Sequence, residues 1–357
     1  LDASDSISTT TAGTNNVKLG ANAGNSIVSG GNQNTVIGDE AGTAITTGIE
    51  NVLVGYQAGD ALTDADFNVA VGRASLSTDT KGSKSTAIGQ GTLNTQNFTT
   101  ATDSHNTAVG FFAGLSMTTG QQNTLIGSLA GDAITDADGN VAVGYASLTT
   151  NVLGSDSVAI GKNALNAQNP ATAVSMLNVA VGKNAGEAVT TGTENTLIGG
   201  IAGDALTTGT GNTALGYSSL TTDTLGSKST AVGRSALATQ NFTTATDSNN
   251  TAVGYQAGVA VTTGTDNTFI GTQAGVAVTD GNTNTALGSL ALFTNTRGDR
   301  NTAIGHESLK AMISTTDADI YNTAVGYQSG KAVTTGEQNT LVGGLAGDAL
   351  TDADFNV

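Results

Sequence analysis

Paired carboxylates recur in the word Asp-Ala-Asp, and oxygen ligands spaced in this way on a turn could hold Ca²⁺ together with water and backbone carbonyls. The pattern lacks the glycine-rich repeat of calcium-binding β-rolls. Equivalent segments, such as Thr208-Gly209 and Asp280-Gly281, lack one or both acids. We therefore favour solvated turn carboxylates and predict no cofactor. The weak calcium candidates are Asp64, Asp66, Asp136 and Asp138, and the word returns at Asp317/Asp319 and Asp352/Asp354.

Catalytic side chains are scarce. The sequence has two histidines, His105 and His306, which are far apart, and no cysteine. It therefore predicts neither a Ser/His/Asp set nor a histidine metal pair. A glycan-cleaving site needs paired carboxylates and usually aromatic walls, but aromatic residues make up 4% of the chain and Trp is absent. The sequence thus predicts that the protein is not an enzyme.

Tyrosines recur directly after a repeated glycine, where their rings could stack on sugars. They are Tyr56, Tyr145, Tyr217, Tyr255 and Tyr327. The same position elsewhere holds Arg73, Ser128, Lys162, Lys183 and Arg234. This variety indicates a permissive outer position.

Four extra residues recur at regular intervals, near Gln96–Asp103, Gln168–Ser175, Gln240–Asp247 and Met312–Asp319. Loops on a rigid scaffold are common ligand sites. Our candidate ligand-loop residues are Asn97, Phe98, Asn169, Asn241 and Phe242. We favour a second interpretation, in which each insert closes a groove or locks an oligomer, because phenylalanine usually packs in a core.

All of these residues belong to one repeated unit, the word Asn-Thr-Ala-Val-Gly and its variants. After the first copy its glycines are evenly spaced from Gly38 through Gly55 and Gly72 to Gly89, and a longer step then leads to Gly110. Three 17-residue coils and one longer coil thus form a set, and the set repeats along the chain. Such a period predicts an all-β parallel solenoid in which one coil stacks on the next.

The repeat also predicts the domain organisation. We expect one continuous rod over residues 1–357, a fragment of a longer repetitive protein. Its sets cover about 38–109, 110–181, 182–253 and 254–325, with partial coils at both ends.

Position 0 of each coil is its glycine. Position −3 is Val or Thr, and position −1 is Val, Ile or Leu. These mainly β-branched residues at period two predict a short strand that faces a narrow core. Position −2 is also apolar in every coil but the first, where Lys18 sits, so we expect it to face another chain, in a homotrimer. The predicted interface residues are Leu53, Leu125, Leu197, Phe269 and Leu341. Under this interpretation Val253→Asp disrupts folding, and Phe269→Asp impairs assembly.

Position −4 is Asn in most coils, and we assign it and the glycine structural roles. Stacked asparagines can pass side-chain hydrogen bonds from coil to coil, and glycine allows tight corners. The residues chosen for these roles are Asn51, Asn106, Asn123, Asn195 and Asn267, with Gly55, Gly110, Gly127, Gly199 and Gly271.

Charge and hydropathy exclude some partners. The chain carries 29 acidic and 12 basic residues, a net charge of −17. Phosphate binding needs clustered Lys and Arg, so nucleic acid is not expected. No apolar run approaches the ~20 residues that a membrane span requires.

The words themselves carry a resemblance. Asn106–Gly110 and Ser157–Gly161 resemble the head repeats of trimeric autotransporter adhesins. Gly55–Gly59 and Gly254–Gly258 resemble repeats of bacteriophage tail fibres. The resemblance implies a left-handed β-roll, a homotrimer and an extracellular location on a cell surface or virion. It implies a shaft or head segment of a fibre for adhesion, with an unknown surface receptor or glycan as partner.

A second function stays open, in which the solenoid binds ice or a glycan surface. Flat solenoids with threonine rows can match ice, and this chain has threonine at position −3 and Thr-Thr corners. Against it, threonine alternates with valine at position −3, and the longer coil of each set would interrupt a flat lattice.

Overall fold

The computed structural model describes residues 12–314 and 316–357. Its contacts divide the chain into two compact units, which meet in the sequence between Leu177 and Asn178. Each unit is a stack of coils joined by parallel strands, and the described residues form no helix. This confirms the predicted all-β parallel solenoid, in which successive coils each contribute one three-residue strand. The single continuous rod and the handedness remain predictions.

In the first unit, the three-residue strands pair in register, so that equivalent coil positions face each other. Val52, for example, lies between Thr35 and Val69. These strands are β1 (Val17–Leu19), β2 (Thr35–Ile37), β3 (Val52–Val54), β4 (Val69–Val71), β6 (Thr86–Ile88), β8 (Thr107–Val109), β9 (Thr124–Ile126), β10 (Val141–Val143) and β12 (Val158–Ile160). Two-residue strands are β5 (Gly82–Ser83), β7 (Thr102–Asp103), β11 (Gly154–Ser155) and β13 (Val174–Ser175).

The second unit repeats this arrangement, and Thr268 lies between Thr251 and Thr285. Its three-residue strands are β14 (Val179–Val181), β15 (Thr196–Ile198), β16 (Thr213–Leu215), β18 (Thr230–Val232), β20 (Thr251–Val253), β21 (Thr268–Ile270), β22 (Thr285–Leu287), β24 (Thr302–Ile304), β26 (Thr323–Val325) and β27 (Thr340–Val342). Its two-residue strands are β17 (Gly226–Ser227), β19 (Thr246–Asp247), β23 (Gly298–Asp299) and β25 (Ala318–Asp319).

The strands face opposite to our expectation. Position −2 points into the solenoid, whereas positions −3 and −1 point outward and are half-buried or exposed. The predicted interface residues are therefore core residues: Leu53, Leu125, Leu197 and Phe269 are fully buried and Leu341 nearly so. Alternation in a strand places position −4 on the same side as position −2. The buried asparagine at position −4, such as Asn267, thus fixes which face is inside.

The rest of the core comes from positions +3, +4 and +7. Position +4 is Gly or Leu, and both adopt positive φ, as at Gly131 (55°) and Leu148 (51°). A side chain on Gly131 would lie 2.8 Å from Ile134, so the residue at position +7 fills that space. Where position +4 is Leu, position +7 is polar or Met, as at Asp79. One coil type thus buries an apolar side chain where the other, except at Met312, buries a polar group.

Candidate functional site

The outer strand face is the surface formed by the residues at positions −3 and −1 of the three-residue strands. It contains only Thr, Val, Ile and Leu, so no charged residue lies on it. In the second unit, position −3 is threonine in nine successive strands, from Thr196 to Thr340. Neighbouring coils cover the flanks of each side chain, but the tips remain open. Ile270 is 36% exposed, Leu287 42% and Leu215 44%. The result is a regular, uncharged strip.

The threonine hydroxyls of this face differ from those at the corners. Corner threonines donate to a carbonyl of the next coil, as from Thr207 Oγ1 to Thr224 O at 2.9 Å. Among the described residues, the hydroxyls of the position −3 threonines make no hydrogen bond with protein. The row of Thr251, Thr268 and Thr285 therefore offers its donors and acceptors to whatever lies outside.

An asparagine ladder and a glycine row hold this face in register. The backbone N–H of Asn195 donates to Asn178 Oδ1 at 2.9 Å, and Asn195 Nδ2 donates to Gly209 O at 2.9 Å. The same geometry occurs at Asn51, Asn123 and Asn267, and at Asn106 the Nδ2 atom bonds Gly120 O at 2.7 Å. The predicted glycines Gly55, Gly110, Gly127, Gly199 and Gly271 have φ between 134° and 142°, a region closed to other residues.

The paired aspartates accept hydrogen bonds at the corners of the coils. Asp66 Oδ1 accepts the backbone N–H of Ile49 at 2.8 Å, and Asp138 Oδ1 accepts that of Gln121 at 2.7 Å. Asp64 and Asp136 instead accept their neighbouring threonine hydroxyls, Thr63 Oγ1 and Thr135 Oγ1. Within residues 12–314 and 316–357, no three acidic or histidine side chains come together as metal ligands would.

The inserts form added edge strands. Strand β7 pairs with β5 and β19 pairs with β17, each through two residues. Phe98 and Phe242 are each 5% exposed, so they are packing residues. Asn97, Asn169 and Asn241 are exposed. Thr80 Oγ1 donates to Asn97 Oδ1 at 3.1 Å, and Thr224 Oγ1 to Asn241 Oδ1 at 3.0 Å. The first and third inserts therefore present mainly threonines to solvent, at 99–100 and 243–244.

A buried polar network beneath the inserts is a feature that we did not predict. Gln96 Nε2 donates to Asp79 Oδ2 at 2.6 Å and to Ser85 Oγ at 2.9 Å, while Asn106 Nδ2 donates to Gln96 Oε1 at 2.9 Å. All four residues are buried. The sequence does contain one sign of this network: Asp79 and Gln96 are one coil apart, so both lie at position +7 of adjacent coils.

The tyrosines after the glycines are exposed in both units. Tyr217 is 57% exposed, and Tyr56, Tyr145, Tyr255 and Tyr327 are exposed as well. Cations lie near two of these rings: the Lys162 ammonium is 5.8 Å from the centre of Tyr145, and the Arg234 guanidinium is 5.9 Å from that of Tyr255.

The two histidines lie in different units. His306 stacks on Tyr327 with ring centres 5.7 Å apart, whereas His105 is exposed in the first unit. A search of the described residues found no helix with the length and apolar character of a membrane span. Compared with known proteins, the chain matches no protein-family model and no sequence among the curated proteins.

Proposed function

We propose that this chain is a structural segment of an extracellular fibre in which copies of the protein associate through the outer strand face. One observation carries the proposal: every coil places uncharged, mainly apolar residues at positions −3 and −1 outside the fold, in a chain of net charge −17. Monomeric proteins rarely leave a long contiguous apolar strip in water. In the second unit, ten strands spaced about 4.8 Å apart extend this strip over about 43 Å.

The geometry favours a second copy of the same chain as the occupant. The strip repeats with the in-register pairing of the coils and lacks charge, so an identical strip matches it row by row. The acidic residues lie outside the strip, where like charges of neighbouring copies can stay apart in solvent. A threefold arrangement gives each copy two such neighbours and a closed interface. We therefore still propose a homotrimer, but with Ile270 and Leu287 instead of Phe269 at the interface.

Light scattering of the native protein tests the proposal. We expect the mass of three chains, and a shift towards one chain in the double variant Ile270→Lys/Leu287→Lys with its strand content unchanged. Ser289→Lys, two residues beyond Leu287 and off the strip, is the matched control and should leave the trimer intact. A wild-type monomer, or a trimer that tolerates both lysines on the strip, would contradict the proposal.

One observation favours ice binding as a second candidate. The nine successive threonines of the second unit form an outward-facing row in register, with an aliphatic row beside it. This function requires the strip to be uncovered, so it predicts a monomer with thermal hysteresis that Thr268→Lys reduces. A trimer without hysteresis would exclude it.

A further inference from the structure

The cationic residues of this acidic chain are distributed unevenly. Seven of the 12 Lys and Arg side chains form ion pairs: Lys81, Lys84, Lys228, Arg297, Arg300, Lys310 and Lys331. Among the described residues, the other five have no ion pair, and four of these occupy position +1: Arg73, Lys162, Lys183 and Arg234. Unpaired cations thus concentrate on the row that also carries the exposed tyrosines.

The clearest part of this row consists of Tyr217, Arg234 and Tyr255. We call these three residues the tyrosine–arginine ladder. They occupy three successive coils, joined at this corner by bonds from Ser235 N to Tyr217 O and from Gln256 N to Arg234 O, both 3.0 Å. The two tyrosines are therefore two coil spacings apart, about 10 Å. No acidic residue occupies position +1 in the second unit.

The surroundings leave the ladder open. Gly200 precedes Tyr217 on the same row, has an ordinary φ, and a side chain there would make only a normal contact of 3.5 Å with the ring. The backbone conformation does not require glycine at this position, and the lack of a side chain leaves space beside the Tyr217 ring. On the adjoining row, Gln256 Oε1 accepts from Gln273 Nε2 at 3.0 Å, and within the described part of the chain Gln256 Nε2 donates to no protein atom.

We propose that the tyrosine–arginine ladder binds an extended acidic glycan. Tyrosine rings offer apolar faces to sugar rings, and an unpaired guanidinium binds a carboxylate through charge-assisted, bidentate hydrogen bonds. One cation between two rings about 10 Å apart suits a polymer with about one acidic group per disaccharide. Nucleic acid fits less well, because one of its strands carries a phosphate every ~3.4 Å and the net charge of −17 repels so dense a polyanion. The inference does not depend on how many copies of the chain associate.

Hyaluronan oligosaccharides, which carry one carboxylate per disaccharide, are the probe. The chain has six tyrosines and no Trp, so binding can be followed by tyrosine emission and by calorimetry on the full chain. We expect saturable binding that Arg234→Gln and Tyr217→Ala each weaken about tenfold. Dextran, an uncharged glycan, should bind at least about tenfold more weakly.

Tyr321 and Arg300 are the matched controls. They form the same kind of pair, with the guanidinium 5.6 Å from the ring centre, but at another coil position and with Arg300 neutralised by Asp319. Tyr321→Ala and Arg300→Gln should leave binding unchanged. The proposal is overturned if hyaluronan does not bind at millimolar concentration, or if the control variants weaken binding equally. It is also overturned if dextran binds as well as hyaluronan, or if single-stranded DNA binds more tightly through Arg234.

Discussion

The Oδ2 atom of Asp79 accepts a hydrogen bond from Gln96 Nε2 at 2.6 Å inside the solenoid, and Asp79 Oδ1 accepts the backbone N–H groups of Gly82 and Phe98, both at 3.0 Å. Asp223 and Gln240 repeat this geometry in the second unit. The two remaining copies have Asn at the aspartate position. In one of these copies Pro170 takes the place of Phe98 and has no N–H to donate. In the other, Met312 replaces the glutamine. A carboxylate thus occurs where the extra donors occur.

This relationship predicts a context-dependent cost for Asp79→Asn. The new amide would direct an N–H group at Gln96 Nε2, so we expect a loss of about 1–3 kcal/mol in the free energy of unfolding. Adding Gln96→Met removes the opposed donor and should recover part of that loss, as chemical denaturation of the single and double variants would show. Strictly additive losses would contradict a direct coupling between these two side chains.

The glycine row predicts a sharp contrast between two glycines. Gly271 has a φ of 134°, and a side chain there would lie 2.6 Å from the carbonyl carbon of Gly288, so Gly271→Ala should cost about 3 kcal/mol or more. Gly200→Ala, which has an ordinary φ and room for a methyl group, should change stability by less than about 0.5 kcal/mol. Thermal unfolding followed by circular dichroism would measure both, and equal effects would refute the steric argument.

The corrected strand direction reverses the outcomes expected for two substitutions. Phe269 is fully buried, so Phe269→Ala should cost about 3–5 kcal/mol and Phe269→Asp should prevent folding. Val253 points outward, so Val253→Asp should leave the fold of each chain intact and weaken association instead. Urea unfolding and light scattering of each variant would distinguish the two roles. A folded Phe269→Asp variant would contradict the assignment of position −2 to the core.

A small cation cluster predicts a local pH dependence. Glu307 accepts hydrogen bonds from Lys310 Nζ at 2.5 Å, Lys331 Nζ at 2.7 Å and Gln328 Nε2 at 2.7 Å, and these bonds lower its pKa from 4.5 to about 2. A carboxylate with a lowered pKa stabilises the fold above its unfolded pKa, and this contribution disappears as the pH falls towards 2. The melting temperature of the wild type should exceed that of Glu307→Gln above pH 5, and the two should converge near pH 2. A constant difference over that range would refute the assignment.

The sequence predicts the solenoid well because the strongest constraints are local. The close approach and the positive φ at Gly271 admit only glycine, and the bonds of Asn267 to neighbouring coils repeat with the coil. It does not decide which strand face is inside when both faces are apolar, because packing of Leu53 or Phe269 depends on residues from the opposite side of the coil. Recognising Asn267 as a buried residue on the same side as Phe269 would have settled the direction.

The tyrosine–arginine ladder could be predicted only in part from the sequence. The tyrosines at position +1 follow from the repeat. Within the described part of the chain, however, Arg300 has an ion-pair partner and Arg234 has none, and this difference depends on which side chains neighbouring coils bring near. Likewise, the spacing of Asp79 and Gln96 is visible in the sequence, whereas their burial depends on coil corners that turn inward with positive φ.

The in-register pairing of equivalent positions has a consequence for the gene. Val181 and Val253 occupy the same position of successive sets of four coils, so removing residues 182–253 would join Val181 to Gly254 and leave the Asn-Val-Ala-Val-Gly word in place. Each strand would still meet a partner with the same hydrogen-bonding groups. Replication slippage by whole sets therefore changes the number of coils without requiring a new fold, and the number of strands on the outer face becomes a trait that natural selection can adjust in steps.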